Sequence, residues 1–141
     1  MREPPPNAES AARFIFKGDF APEDISEFVG LTPTRTTRAG ELVSNIGDYR
    51  RAFSTWELRS GGSESLPIGE HLQIILDTLK PQWAKLIELS KRYEAWFLCR
   101  VYINEAQGPE MSFNSDILKR VAELGGQIDV DVYCLADGGD T

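Results

Sequence analysis

The chain is expected to form a single α+β domain: a four- to six-stranded, mainly antiparallel sheet with three helical segments mostly on one face. Three observations lead there. Between residues 65 and 93, Ile68, Leu72, Ile75, Leu76, Leu79, Trp83, Leu86 and Ile87 recur at spacings of three and four. This is one broad apolar stripe of a long helix, with Glu70, Gln73, Asp77, Lys80, Lys85 and Glu88 on the opposite side. On either side of it lie short segments that alternate with period two, as half-buried strands do. Finally, 141 residues with 41% hydrophobic and 26% charged content suffice for one core without disulfide or metal staples.

In chain order, residues 1–11, with Pro4, Pro5 and Pro6, are expected to be a disordered lead-in to a domain over 12–135. Alternation in Arg13–Lys17 puts Phe14 and Phe16 on one face and Arg13, Ile15 and Lys17 on the other. Gly18 and Asp19 end that strand. Pro22 suits a first helical position, and Glu23 and Asp24 favour a helix N-terminus. The short helix they open would bury Ile25, Phe28 and Val29 and stop at Gly30. Threonines and Pro33 make residues 32–40 an extended segment or edge strand. Residues 41–51, with a turn signal at Gly47-Asp48, are expected to be a mobile loop.

Thr55–Arg59 alternates again, with Trp56 and Leu58 inward and Thr55, Glu57 and Arg59 outward. Pro81 predicts a kink near Lys80, or two helices meeting there, because proline removes a backbone donor and clashes with the preceding turn. Ala95–Ile103 is the strongest strand. Phe97, Cys99, Val101 and Ile103 share one face; Trp96, Leu98, Arg100 and Tyr102 share the other. Met111–Phe113 suggests a short extra strand. Asn114 or Ser115 caps a helix with Ile117, Leu118, Val121 and Leu124 on its apolar side, ended by Gly125-Gly126. In the last strand Ile128, Val130, Val132 and Cys134 oppose Asp129, Asp131 and Tyr133, and Ile128, Val130 and Val132 are expected in the core. Residues 136–141 form an acidic, frayed tail. A faint echo between the two short helices suggests two strand–helix–strand halves joined by the long helix.

Composition narrows the function classes. A net charge of −7 argues against a general nucleic-acid binder and suits a protein that meets a basic partner. No apolar run approaches the roughly 20 residues of a membrane span. The first ten residues lack an apolar signal core, so a cytoplasmic protein is expected. Cys99 and Cys134 sit in apolar runs and are expected to be buried free thiols. His71 is the single histidine. With no serine or cysteine partner in a diagnostic motif, it suggests no catalytic role, and neither a cofactor nor a metal is expected.

Several blocks carry a resemblance. Residues 20–34 read Phe-Ala-Pro-Glu-Asp-Ile-Ser-Glu-Phe-Val-Gly-Leu-Thr-Pro-Thr, followed by Gly40-Glu41, Trp56-Glu57-Leu58 and Glu70-His71-Leu72. The closing block, residues 124–133, reads Leu-Gly-Gly-Gln-Ile-Asp-Val-Asp-Val-Tyr. In order and spacing these resemble a bacterial family catalogued as domain of unknown function 4279, over Ala12 to Leu135. The resemblance implies a small α+β bacterial protein and brings no established activity, cofactor or catalytic residue.

Two constellations are candidate sites. If helices cover one sheet face, the other gathers Arg13, Ile15, Lys17, Thr55, Glu57, Arg59, Trp96, Arg100, Tyr102, Asp129, Asp131 and Tyr133, the last six being the candidate interaction surface. Cross-strand salt pairing accounts for the charges, but aromatics beside an arginine match the composition of protein-binding hot spots. The leading expectation is therefore a non-catalytic protein-interaction domain of inhibitor or immunity type, docking a basic protein or a second copy of itself. The alternative is a small-anion-binding or enzyme domain using Arg35, Thr36, Thr37 and Arg38, since hydroxyls beside arginines can hold a phosphate or carboxylate. Arg50 and Arg51 bring the arginines between residues 32 and 51 to four, against Glu41 and Asp48. No phosphate-loop or dinucleotide glycine pattern accompanies them.

Overall fold

The computed structural model describes residues 11–43, 47–104 and 111–135. Its elements are β1 (Ala11–Gly18), α1 (Pro22–Val29), β2 (Arg35–Thr37), β3 (Ser54–Arg59), α2 (Ile68–Leu79), α3 (Trp83–Ser90), β4 (Glu94–Asn104), α4 (Ser115–Glu123) and β5 (Gln127–Leu135). The five strands form one sheet in the order β2-β3-β1-β4-β5. β1 is central and antiparallel to both β3 and β4. β2 is antiparallel to β3, and β5 is parallel to β4. The sheet is thus mixed, and mostly antiparallel as expected.

β3 is inserted between β1 and β2, and β1 between β3 and β4. The first four strands are therefore two interlocked split β-α-β units, extended at one edge by the parallel β4–α4–β5 crossover. The two short-helix halves, β1–α1–β2 and β4–α4–β5, occupy adjacent parts of the sheet, with β3 inserted within the first. The connections also dictate the layering. β1 crosses to β2 in one direction, whereas β3 crosses to β4, and β4 to β5, in the opposite direction along antiparallel-running strands. A half-turn in the sheet plane interconverts these crossovers, so the right-handed rule sends every helix to the same face.

That face holds the core. Phe14, Phe16, Trp56 and Phe97 are fully buried there. The Phe14 ring centroid lies 4.7 Å from Phe16 and 5.0 Å from Phe97. Ile25 and Val29 of α1, Leu72, Ile75, Leu76 and Leu79 of α2, Leu86 of α3, and Ile117 and Val121 of α4 close over them. The Trp56 Nε1–H donates to Ser26 Oγ at 3.0 Å, tying α1 to β3. Pro81 lies in a single 3-10 turn, Lys80–Gln82, where α2 gives way to α3, so the expected break falls where the ring demands it. A Cβ at Gly69 would meet the Ser112 carbonyl oxygen; only glycine lets the 111–113 segment lie against α2.

Several expectations need correction. Phe28 is 42% exposed, because the buried stripe of α1 is Pro22, Ile25 and Val29; its ring carries the Lys85 ammonium 5.8 Å from the centroid. Leu118 is exposed on α4. Val132, expected in the core, is 46% exposed, and Cys134 is exposed rather than buried. Both lie on the outer, C-terminal part of an edge strand, and only Ile128 and Val130 pack against the core from β5. Leu58 also packs there while only partly buried. The helix expected from residue 65 starts at Ile68, and residues 111–113 are irregular rather than a strand. In the expected loop at 41–51, the described flanks pair: Leu42 bridges Arg50, and Arg51 N–H donates to Glu41 O at 2.8 Å; residues 44–46 lie outside the described residues. Except for Ala11, which opens β1, the lead-in at 1–11 and the tail at 136–141 lie outside the described residues.

Candidate functional site

The sheet face that carries no helix among the described residues, here the helix-free face, is built from the alternate residues of every strand, and register sets their neighbours. One row runs Arg35, Glu57, Ile15, Trp96, Gln127 across β2, β3, β1, β4 and β5. The next runs Arg59, Arg13, Leu98, Asp129. Beyond it Arg100 stands opposite Asp131, and Tyr102 opposite Tyr133. All six residues of the expected interaction surface therefore share this face.

The β4–β5 half is aromatic and acidic at its edge. The Tyr102 and Tyr133 rings stack, with centroids 5.1 Å apart and planes 19° from parallel. Trp96 is half-buried and its Nε1–H donates to Glu94 Oε1 at 3.0 Å. Asp129, Asp131 and Tyr133 are exposed, while Leu98, Arg100 and Tyr102 are half-buried.

The β2–β3–β1 half has a different centre. Glu57, which alternation places on a solvated face, is only 3% exposed. Its Oε1 accepts from Arg13 Nη1 at 3.2 Å and its Oε2 from Arg59 Nε at 3.0 Å. Arg13 and Arg59 are themselves direct cross-strand partners, and Arg35 stands opposite Glu57. Strand phase alone puts Arg13, Glu57 and Arg59 on one face, but it does not tell which strands adjoin. Their convergence was therefore missed.

The arginine–threonine segment does not converge. In β2, Arg35 and Thr37 face the helix-free side, opposite Glu57 and Thr55, while Thr36 pairs with Trp56 on the helix side. Thr37 Oγ1 lies 2.6 Å from Thr55 Oγ1. Arg38 is ion-paired with Glu23, and its N–H donates to Glu41 Oε1 at 2.8 Å. Arg50 Nη1 donates to the Gly40 carbonyl at 2.7 Å. Thr36 lines a groove of about 540 Å³ between α1 and β2 whose charged residues are Glu23 and Glu27, the wrong sign for an anion.

Two groups with potential chemistry lie on the other side of the sheet. His71 of α2 is fully buried, with Nδ1 2.7 Å from Ser60 Oγ. Ser60 Oγ also accepts from Gly62 N–H at 3.4 Å, so the pair clips the β3–α2 connection. Burial holds the imidazole below its usual pKa, and the Ser63 backbone offsets this only in part. Burial, with a contribution from Asp129, pushes the Cys99 thiol up to about 12, which keeps it protonated and a poor nucleophile. Among the described residues, no group of three or more His, Cys, Asp or Glu side chains is arranged to hold a metal ion, and no helix is long and apolar enough to cross a membrane.

Neither the curated proteins nor the solved structures yield a match. The resemblance carried by the sequence blocks is borne out at family level: matched by the family's model over residues 8–135, the chain belongs to the family described as Domain of unknown function (DUF4279).

Proposed function

We propose that this chain is a non-catalytic protein-interaction domain that docks a basic protein surface on the β4–β5 half of its helix-free sheet face. The observation that supports this reading is the row arrangement there. Trp96, Leu98 and the stacked Tyr102–Tyr133 pair present large rings and an aliphatic side chain on the face that receives no helix. Asp129 and Asp131 are exposed beside them. Aromatic anchors flanked by charge are the usual composition of an interface centre. The net charge of −7 steers a cationic partner rather than an acidic one. An inhibitor or immunity-type role fits a small acidic domain of this kind.

The test uses the tagged full chain and its Trp96→Ala/Tyr102→Ala double variant as baits, beside sedimentation of each. The wild type is expected to hold a basic protein in a salt-sensitive complex. The double variant, folded by circular dichroism, should bind that protein at least about 30-fold more weakly, the scale of a hot-spot loss of about 2 kcal/mol. A wild type that self-associates, with the double variant monomeric, would replace the basic partner by a second copy. Equal retention of the same proteins by both baits, with both monomeric, would overturn the reading.

A further inference from the structure

The other half of the same face carries an independent feature. Three arginines, Arg13, Arg35 and Arg59, stand around the single buried carboxylate of Glu57. Three guanidiniums against one carboxylate leave an excess of two positive charges in a chain whose net charge is −7. Arg13 and Arg59 are directly opposite one another, and like charges in that position destabilise a sheet. Glu57 offsets this by giving one oxygen to each, which uses both oxygens. Arg35, exposed and opposite Glu57, makes no ion pair among the described residues. Each guanidinium has five N–H donors, and the Arg13 and Arg59 side chains remain 31% and 55% exposed. Donors are therefore left over at a place where two guanidiniums are already held in position.

We infer that Arg13, Arg35 and Arg59, templated by Glu57, form a binding site for a phosphate dianion or phosphate monoester. Such a group carries about −1.5 to −2 charge at pH 7, which neutralises the local excess, and arginine forks match its oxygens in pairs. Ile15 and Trp96 continue the Glu57 row across β1 and β4, providing apolar ground for the organic part of an ester. The site is not the Arg35-Thr36-Thr37-Arg38 segment; it takes only Arg35 from it and draws the rest from β1 and β3. Its arginines lie on β1, β2 and β3, apart from the β4–β5 docking half, and the two sites meet only at Trp96.

Arginine Nε–Hε resonances of the full chain would be followed while inorganic phosphate or phenyl phosphate is added, with sodium chloride at matched ionic strength as control. Saturable shifts at Arg13, Arg35 and Arg59 are expected, together with at least tenfold weaker binding in Arg35→Gln and Arg59→Gln. Arg38→Gln should bind as the wild type does. Binding of phenyl phosphate should weaken as pH falls through about 6, where the monoester dianion takes up a proton. Tighter binding of phenyl phosphate would identify an ester as the ligand; equal binding would identify free phosphate. Shifts that chloride reproduces, or that persist unchanged in folded Arg35→Gln, would overturn the inference. Arg35 makes no ion pair among the described residues, so that variant keeps the test valid even if Arg59→Gln does not fold.

Discussion

Trp56 and Glu57 are adjacent in β3, both are buried, and they point to opposite faces of the sheet. Trp56 is covered by Phe14 and Phe16 and packs in the apolar core, with its indole N–H donating to Ser26 Oγ of α1. Glu57 is engaged by the guanidiniums of its own sheet face. The same loss of exposure thus has two physical causes. On the helix side, water is displaced by hydrocarbon, which stabilises in proportion to area. On the helix-free side, a carboxylate is desolvated at a cost and then compensated by ion pairs. The first kind of burial specifies a fold; the second leaves charge, donors and salt sensitivity near the surface, where a ligand can act on them.

The contrast can be broken by substitution, starting with the largest effect. Trp56→Ala should cost roughly 3–5 kcal/mol, because a large buried ring leaves a cavity. Urea melts showing a loss under about 1 kcal/mol would mean that the helix face is not packed as described. Glu57→Ala should cost about 1–3 kcal/mol, since it removes a buried pairing group and leaves Arg13 facing Arg59. Part of that loss should return at about 0.5 M salt, where exposed charges are screened, whereas salt should rescue none of the Trp56→Ala loss. Equal salt responses of the two variants would erase the distinction.

pH provides a milder probe of the helix side. The folded pKa of His71 is lowered by burial, so the unfolded chain takes up the proton first, at about 6.5. Stability should therefore be fully present above that value and decline as pH falls below it. His71 is the chain's single histidine, so calorimetric melts between about pH 7 and pH 5 report on it before the carboxylates titrate. A flat stability profile across that window would show that the folded imidazole protonates as readily as the unfolded one. The smallest test involves no loss of stability. Cys134 should react with a thiol reagent in the native state much faster than Cys99, which is buried and protonated. Equal rates would place β5 deeper than described.

The cysteines also show how far residue patterns carry. Cys99 and Cys134 occupy the same phase of alternating strands, and both face the helix side. Alternation names the face but not the cover. Cys99 lies in β4 between two neighbouring strands, whereas Cys134 lies near the end of the edge strand. Phe28 and Leu118 fail for the helical version of the same reason: a helix of eight or nine residues has an apolar side wider than its contact. His71 was legible only as a polar residue at the start of an apolar stripe; its burial depends on Ser60, eleven residues earlier, arriving at its ring.

Local pattern by itself determined the four principal strands, their inward residues Phe14, Phe16, Trp56, Phe97 and Val101, the three helical segments and the break at Pro81. Those features depend on neighbours within a few positions along the chain, through side-chain alternation, helical period and proline geometry. Tertiary structure alone decided that β5 runs parallel to β4, that β3 and β1 interleave the split units, and that Arg13 faces Arg59 with Glu57 beneath them. Strand alternation is the same whichever strand lies alongside. The pairing partner, and with it every cross-strand charge contact, is therefore selected only when distant segments meet to cover a common core.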